Sequence, residues 1–285
     1  DPEPQPDSLP VPKKWGDSVT CDHRILNEHE ESRESDRSAM IMQDRATQWL
    51  QSYPAPTKSA DEVIFAFQRF FGPTLENDAK HIYTDGAGEY DKAMKQLGLS
   101  GRHDTSQPWR KETNGVAERA VRRVREGTST ALYQSGLSSE WWPSAMITYC
   151  FLRNVVDILH DGITAYQRRF GQPFRGPIIP FGAEVEYYPI NPADKKKLHT
   201  FDQKTLTGVF LGYGQQAGGG YNDELEILDC QEVHHATHKS RINIRRMRDT
   251  EVIPVKTDDG AFRFPFAEGL YDQPNLSHDK ARRLR

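Results

Sequence analysis

The chain has 285 residues, 41 of them acidic and 37 basic, for a formal net charge of −4, with 36% hydrophobic residues and 10% aromatic ones. That length suits one large domain or two ordinary ones, and the aromatic content argues for packed cores over a wholly disordered polymer. The charge excludes a uniformly basic DNA-coating protein, no apolar run nears the ~20 residues that span a bilayer, and the 3 scattered cysteines fit neither a disulfide framework nor a Cys-rich zinc site.

Residues 1–16, opening DPEPQPDSLPVPKK, read as an extended, disordered linker of the kind that joins parts of a longer polypeptide. SVTCDHRIL (18–26) reads as a strand carrying Asp22, followed by a charged loop. AMIMQDR (39–45) and TQWLQSYP (47–54) are two more strands, giving a meander. Ser59 with Glu62 forms a capping box for a helix that Gly72-Pro73 stops. KHIYTD (80–85) is a fourth strand, GEYDKAMKQLG a second helix, and LSGRHDTS (99–106) a fifth strand. Two helices follow, over 116–136 and 139–156, the latter carrying Trp141 and Trp142 for the core. The order β-β-β-α-β-α-β-α predicts an α/β domain, a mixed five-stranded sheet flanked by helices, over 17–156.

Residues 157–181 are a Gly-, Pro- and Arg-rich connector. AEVEYYPI, GVFLGYG, LEILD and RINIRR, separated by turns, predict a small β-rich, barrel-like domain over 182–248, and 249–285 reads as a polar tail. Arg241, Arg245, Arg246 and Arg248 suit either a nucleic-acid-facing edge or a solvated one.

Three carboxylates invite a chemical reading. Asp22 lies mid-strand, Asp85 at a strand end and Glu118 in the first turn of a helix, with 62 and then 32 residues between them. Asp is a poor strand former, so Asp22 in a strand interior needs a reason. Three clustered carboxylates repel one another unless a cation sits among them, and Mg²⁺ or Mn²⁺ suits oxygen donors. Glu118, Arg122 and Arg125 share one helical face, with Arg119 and Arg123 beside them; residues 101–127 hold seven Lys/Arg against four Asp/Glu, as a DNA-contacting segment would. Trp109, Arg110 and Lys111 precede this helix on a basic loop, and Thr113 or Asn114 would cap it.

The local sequence gives these residues a family. YTDGAGEY (83–90) resembles the T-D-N-G-x-E-F/Y block of retroviral and retrotransposon integrases. HDTSQPWRKETNGVAERAVR (103–122) resembles their H-x-x-S-x-P-x-x-P-Q-x-N-G-x-x-E-R block. TAYQRRFGQPF (164–174) and GVFLGYG (208–214) resemble the T-P-Y-E-x-x-F-G and I-F-L-G-Y segments of copia-type elements. The chain departs from these patterns at Gly86, where the family has Asn, and at Lys111 and Glu112, where it has Pro and Gln.

The resemblance implies an RNase H-like integrase core followed by the small β domain. It also implies 3′-end processing and DNA strand transfer by a D, D, E triad holding two Mg²⁺ or Mn²⁺ ions. Asp85 and Glu118 then become the second and third acids, and Asp22 the first by strand position, in preference to Asp44. Trp109, Arg110, Lys111, Asn114, Arg119, Arg122 and Arg125 become candidate DNA contacts. The implied setting is a homo-multimer on element ends and target DNA, with no membrane. An upstream zinc module and an adjoining reverse transcriptase would complete the parent polyprotein. The implied location is the nucleus, after a cytoplasmic particle stage. An inactive DNA-binding remnant and a cut-and-paste DDE transposase are the competing readings.

Overall fold

The computed structural model describes residues 11–72, 79–99, 101–105, 115–237 and 241–273. The first sheet is built from β1 (Val19–Ile25), β2 (Ser38–Asp44), β3 (Leu50–Ala55), β4 (His81–Thr84) and β5 (Arg102–Thr105), in the order β3-β2-β1-β4-β5. The pairs β1–β2 and β2–β3 are antiparallel, whereas β1–β4 and β4–β5 are parallel. This is the mixed five-stranded arrangement expected from the sequence.

Side-chain alternation along a strand explains why both faces are covered. Val19, Cys21, Met40, Met42 and Ile82 point into one core with Val63, Phe67, Phe70, Tyr90 and Ala93. Those partners come from α1 (Ala60–Phe71) and α2 (Gly88–Leu97). The alternate residues Ala39, Ile41 and Leu50 face a second core with Ala120, Val124, Trp142, Met146 and Cys150. These belong to α3 (Gly115–Ser135) and α4 (Trp142–Val156). The Ser59 hydroxyl accepts a hydrogen bond from the Glu62 amide, so the expected cap starts α1, and Gly72 ends it at φ 100°. Gly127 lets α3 approach α4: a Cβ there would lie 2.1 Å from the Tyr149 ring.

α4 is apolar on more than one side, and each side has a cover. Met146 and Cys150 face the first sheet, while Phe151 and Val155 enter a core shared with the second. The Asn154 amide bonds both the N–H and the C=O of Leu50, and Thr148 donates to the Leu211 carbonyl. Burying a side chain such as Phe151 contributes about 1.5–3 kcal/mol.

The second sheet contains β6 (Glu184–Tyr187), β7 (Leu206–Gln215), β8 (Tyr221–Asp229), β9 (Arg245–Arg248) and β10 (Val252–Pro254). Its order is β10-β6-β7-β8-β9, all antiparallel. The barrel-like closure suggested by the sequence is not formed: among the described residues β9 and β10 are open edges. The reason is that both faces of the sheet are apolar and covered, one by α4, Phe262 and Phe264 and the other by Leu137, Trp141, Val233 and Phe266, so it need not curl onto itself. The expected polar tail also differs. Within it, β10 completes this sheet and Phe266 is buried beside Trp141 and Leu211.

Between the two sheets, α5 (Ala165–Phe170) starts on its Thr164 cap and sends Arg169 into an aromatic nest. The Arg169 guanidinium lies 3.2 Å above the Trp15 ring and donates to the carbonyls of Gly218 and Phe70. Trp15, placed by sequence in a disordered linker, stacks on Phe70 with centroids 4.9 Å apart. Residues 11–16 are therefore tied to the fold by this aromatic anchor and by hydrogen bonds from the Gly16 amide to Asp44 and from the Lys80 amide to the Gly16 carbonyl. No helix among the described residues is long and apolar enough to cross a membrane.

Candidate active site

Asp22 and Asp85 are brought together by strand pairing. β1 and β4 run parallel with Val19 opposite Ile82 and Thr20 opposite Tyr83. Continued by two residues, that register sets Asp22 level with Asp85, just past the end of β4. Val19, Cys21 and Ile82 point to the α1/α2 core, so alternation sends Asp22 and Asp85 to the opposite face, the α3 side.

The environments of the two acids differ. The Asp22 carboxylate accepts the His23 amide at 2.8 Å. Burial pushes Asp22 up to about 6; the His23 amide and Lys58 oppose the rise, and the charges of Asp85 and Glu118 add to it. Asp85 follows Thr84 into a fixed turn: its carbonyl accepts from the Ala87 amide at 2.7 Å and the Thr84 hydroxyl at 2.8 Å. Its Oδ1 is buried and has no hydrogen-bond partner among the described residues. A buried carboxylate oxygen without a donor is costly, and a hard divalent cation is the group that would satisfy it beside a second carboxylate.

Glu118 is exposed in the first turn of α3. Its charge reaches Asp22, but no group of three His, Cys, Asp or Glu is drawn into a cage among the described residues. Asp44, the other early-strand acid, has a different task. It is fully buried and its carboxylate takes the Thr47 amide and hydroxyl, each at 2.7 Å, and the Gly16 amide at 3.0 Å. It pairs with Val19, three residues along β1 from Asp22, and stabilises the β2–β3 turn.

Four further residues line this end of the sheet. The Lys58 ammonium sits 2.8 Å from Glu89 Oε1, and its charge is felt by both Asp22 and Asp85. The Tyr90 hydroxyl and His23 Nδ1 share a 2.7 Å hydrogen bond. Burial first, then Lys58, lowers the His23 ring to about 4, so it is neutral near pH 7. Glu89 and Tyr90 lie within the YTDGAGEY block, which was the signal for them; nothing local marks Lys58 or His23. His103 is engaged within the fold, bridging Thr84 at 2.8 Å and Asp91 at 3.1 Å.

The arginines of α3 divide between two flanks. Arg119 and Arg123 border a depression with Arg45, Gln43 and Gln48, whereas Arg125 borders one with Arg24 and His29. Positions 119 and 125 are six apart, about 240° around a helix, so they cannot share a face. Trp109, Arg110, Lys111 and Asn114 lie outside the described residues. Arg245, one of the possible nucleic-acid contacts, is buried in an ion network with Asp194 and Glu232.

Sheet order, mixed pairing and helices on both faces define an RNase H-like core. Homologues of this chain are retrovirus-related Pol polyproteins from plant transposons. The chain is 28% identical over 187 residues to that of transposon RE1 of Arabidopsis thaliana, covering 64% of the chain and 12% of the relative. It is 26% identical over 180 residues to that of transposon RE2 of the same plant, covering 62% and 12%. To that of transposon TNT 1-94 of Nicotiana tabacum it is 25% identical over 201 residues, covering 62% and 13%. The chain thus spans about an eighth of the curated relatives it matches.

Among solved structures, the catalytic core domain of BIV integrase matches with TM-score 0.38 and 17% identity, over 53% of this chain and 92% of that one. The HTLV-2 integrase catalytic core domain in complex with magnesium matches with TM-score 0.40 and 15% identity, over 55% and 97%. No family model matches the chain.

Proposed function

We propose that this chain is the catalytic core and following β domain of a retroelement integrase, which processes DNA 3′ ends and joins them to target DNA. The observation that carries the reading is the parallel β1–β4 register, which extended by two residues sets Asp22 level with Asp85, together with an Asp85 Oδ1 that is buried and lacks a hydrogen-bond partner among the described residues. The motif resemblance and the polyprotein relatives support it.

Asp22, Asp85 and Glu118 would hold Mg²⁺ or Mn²⁺. Two such ions, when bound, supply activation of the attacking oxygen and stabilisation of the departing one. The chain's own residues supply the rest. Asp22 and Asp85 are partly buried at the sheet end, and the Thr84–Asp85–Ala87 turn fixes the second acid. Arg119, Arg122 and Arg125 neutralise phosphates on either side of α3, and Trp109, Arg110, Lys111 and Asn114, which precede it in sequence, add to that contact. In the first reaction a water oxygen bonds to phosphorus as the downstream 3′-oxygen–phosphorus linkage breaks. In the second, the freed 3′-OH bonds to a target phosphorus and the target's own 3′-oxygen leaves. The enzyme works as a multimer on two DNA ends in the nucleus, having travelled in a cytoplasmic particle. A zinc module and a reverse transcriptase lie elsewhere in the polyprotein.

The test is a strand-transfer assay with Mg²⁺ or Mn²⁺, comparing the unaltered chain with Asp85→Asn and Glu118→Gln. Joined product from the unaltered chain, its loss in both variants and retained DNA binding by fluorescence anisotropy are expected. Turnover that survives both substitutions removes the site assignment. The second reading, an inactive DNA-binding remnant, draws on the departures at Gly86, Lys111 and Glu112, and predicts DNA binding with no product under either metal.

A further inference from the structure

The loop between β3 and α1 carries a cation to the acid pair. Lys58 precedes the Ser59 cap of α1, so the first turn of that helix fixes where its backbone lies. Its ammonium is 2.8 Å from Glu89 Oε1, and Glu89 stands in the first turn of α2, four residues after Asp85. Lys58 and Glu89 are both partly buried, with side chains 34% and 17% exposed, so solvent screens the pair incompletely. The groups facing Lys58 are Glu89, Asp85, Asp22 and the neutral His23 ring.

We propose that Lys58 is a positioning residue that sets how tightly the Asp22–Asp85 pair takes a divalent cation, with Glu89 holding it beside the pair. The inference rests on the reading of that pair as a metal site. A fixed positive charge near two carboxylates offsets part of their mutual repulsion when no metal is present. The same charge repels an incoming dication, so it weakens binding. The lysine thereby holds a positive charge beside the acids without closing them into a preformed high-affinity cage. Metal loading then depends on what arrives with the metal. A DNA phosphate can draw Lys58 towards itself, removing the repulsion at the moment substrate is present. Sequence position alone hides this role, since Lys58 is far along the chain from both acids and becomes their neighbour only through the sheet.

The experiment is isothermal titration of the full chain with Mn²⁺ alone, at low and high salt, for the unaltered protein, Lys58→Met, Lys58→Arg and Asp85→Asn. Lys58→Met is expected to tighten Mn²⁺ binding by about three- to tenfold at low salt, with a smaller gain at high salt. Lys58→Arg, which keeps the charge, should stay close to the unaltered affinity. A merely structural Lys58–Glu89 tie would lower the thermal midpoint in EDTA and leave Mn²⁺ affinity alone. If Asp85→Asn abolishes binding while Lys58→Met binds no more tightly than the unaltered chain, the Lys58 inference falls and the metal site stands. If the unaltered chain takes no Mn²⁺, or Asp85→Asn takes it equally well, both fall together.

Discussion

The side-chain amide of Asn154 hydrogen-bonds both backbone groups of Leu50, accepting from its N–H at 2.9 Å and donating to its C=O at 2.7 Å. Leu50 opens β3, the edge strand of the first sheet, so a helix side chain here does the work of a missing neighbouring strand. Both residues are buried, and water cannot take over if the amide is lost.

Asn154→Leu keeps a similar volume but leaves the Leu50 N–H and C=O unpaired. The expected loss is about 2–3 kcal/mol of unfolding free energy, read from urea denaturation at pH 7. A change under about 0.5 kcal/mol would mean that the edge of β3 finds other partners.

A second prediction concerns acid stability. Asp194, in the short helix α6 (Pro192–Lys195), has a side chain 3% exposed, bonded by Arg245 at 2.6 and 2.9 Å, by Lys197 and by Asn191. Arg245 foremost holds its carboxyl well below the usual carboxylate range. A depressed folded-state pKa contributes stability that is complete above the unfolded value near ~3.9 and is lost as pH falls through the folded value. Asp194→Asn should therefore cost about 3 kcal/mol at pH 7, since Arg245 stays buried with Glu232 as its remaining acid partner. The gap between the two proteins should narrow below about pH 4. A gap that stays constant from pH 7 to pH 3 would remove the ion pair as its cause.

Gly86 invites a third test, because the family block has Asn there. A Cβ built at Gly86 meets only Thr105 Cβ, at 3.9 Å, and its backbone is not in the left-handed region. Gly86→Asn should fold normally, with stability unchanged or raised by up to about 1 kcal/mol through a less flexible unfolded chain. A loss of about 2 kcal/mol or more would show that this turn needs glycine after all.

Much of the first sheet was legible because its signals are local. The runs around Val19–Ile25 and Ser38–Asp44 are bounded by polar segments, and the Ser59–Glu62 cap and the turns at Gly72 and Gly98 mark helix ends directly. The second sheet was less so. Val252–Pro254 is only three residues long amid charged neighbours, and becomes a strand because β6 offers it an edge. RINIRR looked like a strand of its own, but pairing begins only at Arg245, where Ile227 stands opposite. In the candidate site, Asp22 and Asp85 stood out as acids in strands, whereas Lys58 and the consumption of Asp44 by its own turn depend on distances no sequence window contains. The divergent directions of Arg119 and Arg125 were countable from helix geometry and were obscured by reading the arginines as one basic run.

Because α4 is a wall common to two cores, the smallest piece able to live alone in water is larger than the sheet bearing the acids. A fragment ending at residue 181 would keep Phe151 and Val155 while shedding Val185, Phe210 and Leu225, which shelter them. Such a trimmed protein would be sticky and prone to precipitate. Soluble material for biochemistry should therefore run through Phe266, the last buried aromatic among the described residues.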